Sequence, residues 1–389
     1  MADSPTKVLH VVGSLERGGV ETWLLELLAL LDRSRWQFDI CTLGPDCGRY
    51  AEQARAWGSR VWACPASAGA GGRWGFPLRF YRALCAGGYA IVHSHVHHFS
   101  GLVLAVARVA GAAVRLAHSH NTHDGQANSL RRACYRAAAG ALLGRTQTMG
   151  LACSAESAEA LFGARRQSGA PVELLRYGLG GQASQGAPEG ERRRLRRSFG
   201  FGECVPVLGH VGRLERQKNH EFLLEVAAAV HTRLPNAHWL LVGEGEGRGR
   251  LERQARGLGL ETKVIFAGRR EDVPALLRSV MDAFVFPSLH EGLPLALLEA
   301  QAAGLRSLAS SRITREAAVV PGAVEFLALE AGPRVWARRV EACLEAGKIS
   351  RQMAWKTLEA AGFSAQRSLE RLLEIYRRAL GRQARGAAR

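Results

Sequence analysis

The chain has no Cys-x-x-Cys pair among its eight cysteines, so a zinc site built on cysteine is not expected. Cys41, Cys47, Cys64, Cys85, Cys134, Cys153, Cys204 and Cys343 lie mostly in apolar stretches. Reduced, buried thiols are expected there rather than a disulfide framework. No uncharged apolar run reaches about 18 residues, so no transmembrane helix is predicted. The opening residues MADSPTKVLHVVG lack the basic start and apolar stretch of a signal peptide, which predicts a cytoplasmic protein. G-x-S-x-G and the P-loop are both missing, which removes two large enzyme classes. No D-x-D occurs, so a divalent metal holding a nucleotide diphosphate is not expected. Zinc fingers, helix-turn-helix patterns and interleaved basic and aromatic residues are also absent, so nucleic acid is not an expected partner. Acidic side chains are scarce: 35 against 52 Lys and Arg, a net charge of +17. That surplus suits an anionic lipid surface or a phosphorylated substrate.

What is present is regular alternation. A length of 389 residues suggests two domains, each able to bury a core. Short apolar runs at Val8–Val12, Trp36–Leu43, Arg60–Ala63, Ala90–His93 and Val114–His118 read as strands, with helical patterns between them. Leu151–Ser154 closes this series, or Val172–Leu175 if the pattern extends. The stretch Gly178 to Pro188 has few core residues and reads as a linker. After the Arg-rich run Glu191–Ser198, a second series follows at Val205–Val211, Ala237–Val242, Val264–Phe266, Ala283–Phe286 and Leu305–Ala309. Helices are predicted near 220–234, 247–259, 271–280 and 294–303. The expected fold class is α/β, with two doubly wound parallel sheets and a ligand cleft between their carboxyl ends. Asn128–Met149 reads as a helix carrying Arg131, Arg132, Arg136 and Arg145. It suits an anionic membrane surface and an ordinary solvated face about equally.

The most informative stretch is Phe286-Pro-Ser-Leu-His-Glu-Gly-Leu-Pro-Leu-Ala-Leu-Leu-Glu299. It runs from a buried strand through a Gly-Pro loop into a helix, with Pro294 in the first turn and Gly304 at the end. Glu291 falls in the loop and Glu299 eight positions later, inside the helix. Backbone N–H groups at such a helix start favour an anion. Two carboxylates beside an anion site suit a ligand carrying hydroxyls and phosphate, such as a nucleotide-sugar. Arg213 and Lys218 follow the strand Val207–Val211, where ligands bind in such sheets. Arg offers a planar fork and Lys a compact charge, and both suit a diphosphate. Asn219 is expected to cap the next helix. Leu241-Val-Gly-Glu-Gly-Glu-Gly-Arg-Gly249 breaks the dinucleotide spacing at Arg248 and sets Glu244 and Glu246 against a pyrophosphate.

In the first half, Gly18 and Gly19 follow the first strand, where the backbone must approach a neighbour or ligand closely. Histidines cluster at His93, His95, His97, His98, His118, His120 and His123, a group that raises the question of a metal. His93 and His118 sit inside strands and read as satisfied core residues. His95 and His120 sit at strand ends and are the better functional candidates.

Taken together, these motifs resemble a known family. Gly212-Arg-Leu-x-x-x-Lys-Asn219, Val242-Gly-x-Gly245, Phe266-x-Gly268 and Glu291-Gly-Leu-Pro-x-x-x-x-Glu299-Ala-x-Ala-x-Gly304 occur in the order and spacing of family 4 retaining glycosyltransferases of the GT-B fold. Gly18-Gly-Val-Glu21, His118-Ser-His-Asn-Thr122 and Ala152-Cys-Ser154 are similar to the exopolysaccharide and capsular polysaccharide branch. The resemblance implies two Rossmann-like domains facing a central cleft. It assigns residues 1–180 to an acceptor-side domain and 201–364 to a donor-binding domain, with 181–200 as linker and basic helix. The helix 365–389 is expected to pack back on the first domain. It also implies that Arg213 and Lys218 hold the donor diphosphate and that Glu299 binds the ribose. Glu291, Gly292 and Leu293 would address the transferred sugar and its phosphate, and His120 the sugar. Gly18 and Gly19 would line the diphosphate side of the acceptor cleft, and Gly268 and Arg269 would lie near the base. Two positions differ from the family pattern: Arg176-Tyr-Gly-Leu-Gly180 stands for Asn-Gly-Ile-Asp, and Arg306 for a proline.

The function implied is transfer of a hexose or N-acetylhexosamine, with retention, from a nucleotide-sugar (a UDP-sugar first) to a saccharide or lipid-linked acceptor. No cofactor or metal is expected, and an anionic membrane surface at the inner face of the cell membrane is a candidate partner. Two other classes compete. A nucleotide-sugar epimerase of the same fold needs acid–base carboxylates facing the sugar from both halves. A basic membrane- or nucleic-acid-binding protein needs salt-sensitive binding without nucleotide-sugar affinity.

Overall fold

The computed structural model describes residues 4–16, 18–66, 72–122, 129–163, 170–183 and 186–387. Its chain divides into two units. The first joins residues 1–178 to 363–389, and the second spans 179–362.

The first unit is built on a seven-stranded sheet in the order β3-β2-β1-β4-β5-β6-β7. The strands are β1 (Thr6–Val12), β2 (Trp36–Thr42), β3 (Val61–Ala63), β4 (Ile91–Ser94), β5 (Val114–Ser119), β6 (Met149–Ala152) and β7 (Val172–Leu174). Every neighbouring pair is parallel. Both strand candidates at the end of the first series are therefore used. Helices α1 (Gly19–Leu30), α2 (Ala51–Ala56), α3 (Gly72–Gly87), α4 (Ser100–Val109), α5 (Leu130–Thr146) and α6 (Ala155–Phe162) connect the strands. β4 is buried throughout and β1 from Val8 onward, with the polar His10, His93 and Ser94 among them, as a helix-covered parallel sheet requires of its central strands. The strand order reverses between β1 and β4, so the crevice at their carboxyl ends is this unit's natural ligand position.

The second unit holds a six-stranded parallel sheet, β10-β9-β8-β11-β12-β13. Its strands are β8 (Val207–Val211), β9 (His238–Val242), β10 (Val264–Phe266), β11 (Ala283–Phe286), β12 (Arg306–Ser310) and β13 (Val324–Leu327). Helices α7 (Glu191–Ser198), α8 (His220–His231), α9 (Arg248–Gly257), α10 (Val273–Ser279), α11 (Leu295–Ala302), α12 (Pro333–Glu345) and α13 (Arg351–Ala360) surround it. Here the order reverses between β8 and β11. The loops after these two strands carry Arg213, Lys218 and Glu291, so topology brings the two motifs together.

The basic helix α7 sits within the second unit rather than outside both. Arg196 is wholly buried and donates to the carbonyls of Gly202, Glu203, Val205 and Val280 and to the Asp282 carboxylate. Arg278 pairs with Glu191 at 2.9 Å at the other end of the helix. Part of this basic run is thus internal wiring of the domain.

The last helix, α14 (Ala365–Ala387), belongs to the first unit. Trp23 Nε1 donates to Ser368 Oγ at 2.8 Å, and Ser368 Oγ donates to the Arg176 carbonyl at 2.8 Å. Tyr376 reaches His93 at 2.7 Å, while Arg371 and Arg378 both pair with Glu173. The cysteines are unpaired. Cys41, Cys64, Cys153 and Cys343 are buried, whereas Cys85, Cys134 and Cys204 are exposed, unlike the expectation from their apolar context. Among the described residues, no helix is long and apolar enough to cross a membrane.

Candidate active site

In the second unit the two switch-point loops are stitched together by consecutive side chains. The Leu289 N–H donates to the Gln217 carbonyl at 2.8 Å. Gln217 Nε2 returns to the His290 carbonyl at 2.9 Å and to Glu291 Oε2 at 3.2 Å. Lys218 Nζ lies 2.6 Å from Glu291 Oε1 and 5.0 Å from the Phe286 ring centroid. Asn219 Nδ2 donates to the Pro287 carbonyl at 3.2 Å. Asn219 does precede helix α8, but its backbone is left-handed (φ 56, ψ 44) and its side chain makes no cap. The competing Pro287 carbonyl takes the amide instead, which corrects the expected capping role.

Glu291 is only 8% exposed, and Gly292 and Leu293 are buried beside it. Pro294 stands one position ahead of helix α11, at φ −76 and ψ 101. No side chain caps that helix, so its first N–H groups remain for water or a ligand. Glu299 is half-buried within the helix. Gly304 follows at φ +77, and an added Cβ there would meet the Ile349 carbonyl at 2.3 Å. Arg213 does not join the Lys218–Glu291 pair; its exposed guanidinium pairs with Glu215 at 2.8 Å.

Glycine at 243 and 245 serves backbone packing. A Cβ on Gly243 would lie 2.0 Å from the Gly212 carbonyl oxygen, and one on Gly245 2.7 Å from that of Leu214. These residues press the β9 loop onto the Arg213 loop. Gly268 has φ +66, its carbonyl accepts from the Gly243 N–H at 2.9 Å, and Arg269 beside it is exposed.

In the first unit Gly18 occupies the N-cap position of α1 with extended backbone (φ −147, ψ 173) and no side-chain cap. A Cβ on Gly18 would collide with Glu21 Oε2 at 2.3 Å, so the close approach is to its own helix. Gly19 is exposed at the first helical position.

The histidines form one cluster. His10 Nδ1 lies 3.0 Å from His95 Nε2, and His95 Nδ1 lies 2.7 Å from His120 Nε2. His120 Nδ1 in turn meets the Tyr177 hydroxyl. The His118 ring packs against His120 with centroids 4.0 Å apart and stands edge-on to Trp23 at 5.6 Å. Among the described residues neither nitrogen of His118 has a hydrogen-bond partner, so it is an aromatic core group and not a satisfied one. His93 is satisfied on one side only, by Tyr376. Burial holds His10 and His120 down to about 3, so these rings are neutral near pH 7. Two triads, His10–His93–His95 and His95–His118–His120, bring ring nitrogens within 4.8 Å and have the donor type for a transition metal. His123 lies outside the described residues.

Similarity to known proteins places the chain in a family. The family model described as Glycosyl transferases group 1 matches residues 191–357, and that described as Glycosyltransferase Family 4 matches residues 17–179. EpsF from Bacillus subtilis (strain 168), a protein assigned to the glycosyltransferases, is 33% identical over 383 residues, covering 97% of this chain and 97% of EpsF. The chain is a family 4 glycosyltransferase.

A galactosyltransferase from Escherichia coli, named UDP-Gal:alpha-D-GlcNAc-diphosphoundecaprenol alpha-1,3-galactosyltransferase, is 37% identical over 108 residues, 27% of this chain and 28% of its own. Among solved structures, Anabaena HepE in complex with UDP and glucose superposes with a TM-score of 0.76 at 18% identity, over 95% of this chain and 99% of that one. The fold is GT-B, built from two Rossmann-like units.

Within this glycosyltransferase, Tyr177 stands where the family has Asn, and its hydroxyl engages His120. Arg306, in place of the family's proline, donates to the Gly347 carbonyl at 3.0 Å and the Gly322 carbonyl at 2.7 Å. Gln217, His10 and Tyr177 were not candidates from sequence. The available signals were a polar residue directly before Lys218 and the departure at Arg176-Tyr-Gly. His10, one polar residue in an apolar strand, gave the faintest signal.

Proposed function

We propose that this glycosyltransferase moves a hexose or N-acetylhexosamine, with retention, from a UDP-sugar to a saccharide or lipid-linked acceptor in cell-surface polysaccharide synthesis. The observation that carries the reading is the enclosed Lys218–Glu291 pair at the switch point, beside the uncapped start of α11. An ammonium, a set of backbone N–H groups and an exposed Arg213 offer positive charge for a leaving diphosphate. Glu291 offers a carboxylate for sugar hydroxyls, and Glu299 one for the ribose. The charge that grows on the departing phosphate oxygen lets that oxygen take the acceptor's proton. Transfer on one face of the sugar then needs no separate protein base. No divalent metal is required while Lys218, Arg213 and the helix start supply the charge.

The E. coli relative's name gives UDP-galactose as donor and a diphosphoundecaprenol-linked sugar as acceptor, and HepE was solved with UDP and glucose. Both support a uridine donor, and the E. coli relative supports a lipid-linked acceptor. Working on such an acceptor places the protein at the inner membrane face, where its net charge of +17 favours anionic lipid. The experiment is a thermal-shift screen of uridine, guanosine and adenosine diphosphate sugars, followed by NMR of the anomeric proton of the product. Stabilisation by UDP-sugars above the others, and a product with the donor's anomeric configuration, support the reading. An inverted product rules out retention.

A further inference from the structure

Four groups in the first unit are joined end to end: His10 within β1, His95 just past β4, His120 just past β5, and Tyr177 after β7. Each ring is buried enough that its charged form is disfavoured. A neutral imidazole has one N–H and one lone pair, so each internal bond must be a donor facing an acceptor. That condition couples the rings, and only two patterns satisfy every bond. In one, the hydrogens point from Tyr177 toward His10. In the other, they point from His10 toward Tyr177.

The two ends decide between them. His10 Nε2 is buried and, among the described residues, has no hydrogen-bond partner. The first pattern puts a hydrogen on that nitrogen, and buried orphan N–H groups are rarer than under-satisfied acceptors. The second leaves only a lone pair there. At the other end the Tyr177 hydroxyl oxygen can accept from His120, because a hydroxyl has lone pairs as well as a hydrogen and that hydrogen rotates freely.

We propose that His10, His95, His120 and Tyr177 form one directional hydrogen-bonded chain in which all three histidines carry their hydrogen on Nδ1, and that His10, His95 and Tyr177 are positioning residues for His120. The consequence for turnover rests on the reading of His120 as the sugar-facing residue. The chain engages both nitrogens of His120, Nε2 accepting from His95 and Nδ1 donating to Tyr177, and so fixes the plane of the ring. A ligand thus meets a ring already held in place, with no ordering step left to make at binding.

A shared metal ion suits this geometry less well. Two imidazoles on one tetrahedral ion hold their ligating nitrogens roughly 3.4 Å apart, from bonds of about 2.0–2.1 Å. Here the paired nitrogens lie 2.7 and 3.0 Å apart.

The direct test is nitrogen NMR of isotope-labelled histidine in the full chain without ligand, with each ring assigned by its variant. Neutral, Nδ1-protonated His10, His95 and His120 are expected. An Nε2-protonated or imidazolium form at any of the three overturns the chain. So does a stoichiometric transition metal that shifts these rings when zinc is titrated. The second test is substitution. His95→Gln keeps a donor amide for His120 and an acceptor oxygen for His10, and should preserve the His120 tautomer and turnover to within about threefold. His95→Leu should lose the tautomer bias. Tyr177→Phe should lower kcat about tenfold with the donor KM within about twofold, the mark of a group acting after binding. Unchanged kcat in Tyr177→Phe overturns the positioning role. Full turnover in His120→Ala overturns the sugar-facing reading and the positioning role with it, whereas wrong tautomers overturn the chain alone.

Discussion

Lys218 and Glu291 are far apart in sequence, yet their charged atoms meet at 2.6 Å with side chains only 16% and 9% exposed. Each neutralises the other in the unliganded site. In the proposed reaction a diphosphate would compete with Glu291 for the ammonium, and a sugar hydroxyl with Lys218 for the carboxylate. Replacing Lys218 by Ala should lower kcat about a hundredfold or more, because one preorganised charge is lost from the transition state. It should also lower the melting temperature, since the enclosed Glu291 carboxylate loses its ammonium partner. Steady-state kinetics beside a thermal melt separates the two effects, and retained turnover rejects the assigned role.

Glu299→Ala should weaken donor binding about tenfold, the order expected when a charged hydrogen-bond acceptor is removed. Its stability should change little, because the side chain is half-buried on a helix. Calorimetric titration with UDP checks it. Unchanged affinity removes Glu299 from the ribose.

Arg196→Met should destabilise the second unit by about 3 kcal/mol or more. It takes one of two arginine partners from Asp282, leaving Arg192, and leaves the carbonyls of Gly202, Glu203, Val205 and Val280 without this donor. Urea unfolding followed by tryptophan fluorescence reports on this directly, because Trp239 and Trp336 lie in that core. A midpoint equal to the parent's means that the buried guanidinium contributes nothing net.

Acid should unfold the protein early. Burial holds His10 and His120 at about 3 and His210 at about 4 in the folded chain, against about 6.5 when unfolded. Below pH 6.5 or so the unfolded chain takes up protons that the folded one refuses. Stability is therefore full above that pH and falls as pH drops through the window toward 3. Each such ring contributes up to about 1.4 kcal/mol per pH unit there. Urea midpoints near pH 7.5 and near pH 5 test the sign, and a midpoint that is level or higher in acid sinks the prediction.

Most of the two sheets was legible because their strands are continuous apolar runs bounded by Gly, Pro or charge. The exception, β13, is half-buried along its length and carries Glu325, so it offers no such run. The loops holding Arg213, Lys218 and Glu291 were legible through their position after strands. Their mutual contacts were not, because Gln217, Lys218 and Asn219 bind a loop about seventy residues away. Asn219 shows the limit well: a good capping residue in a capping position was diverted by one carbonyl. The histidine chain was visible as a cluster, but its links depend on His10 in β1 and on Tyr177 in the loop after β7, which only the folded sheet brings near one another.

The first unit takes its final helix from the far side of the second in sequence. Tyr376 and Ser368 therefore reach His93 and Trp23 only after every residue of the second unit has been synthesised. A ribosome making this chain finishes residues 179–362 while the first unit still lacks its last helix. The histidine-bearing unit is therefore the one whose closure must wait for the end of synthesis.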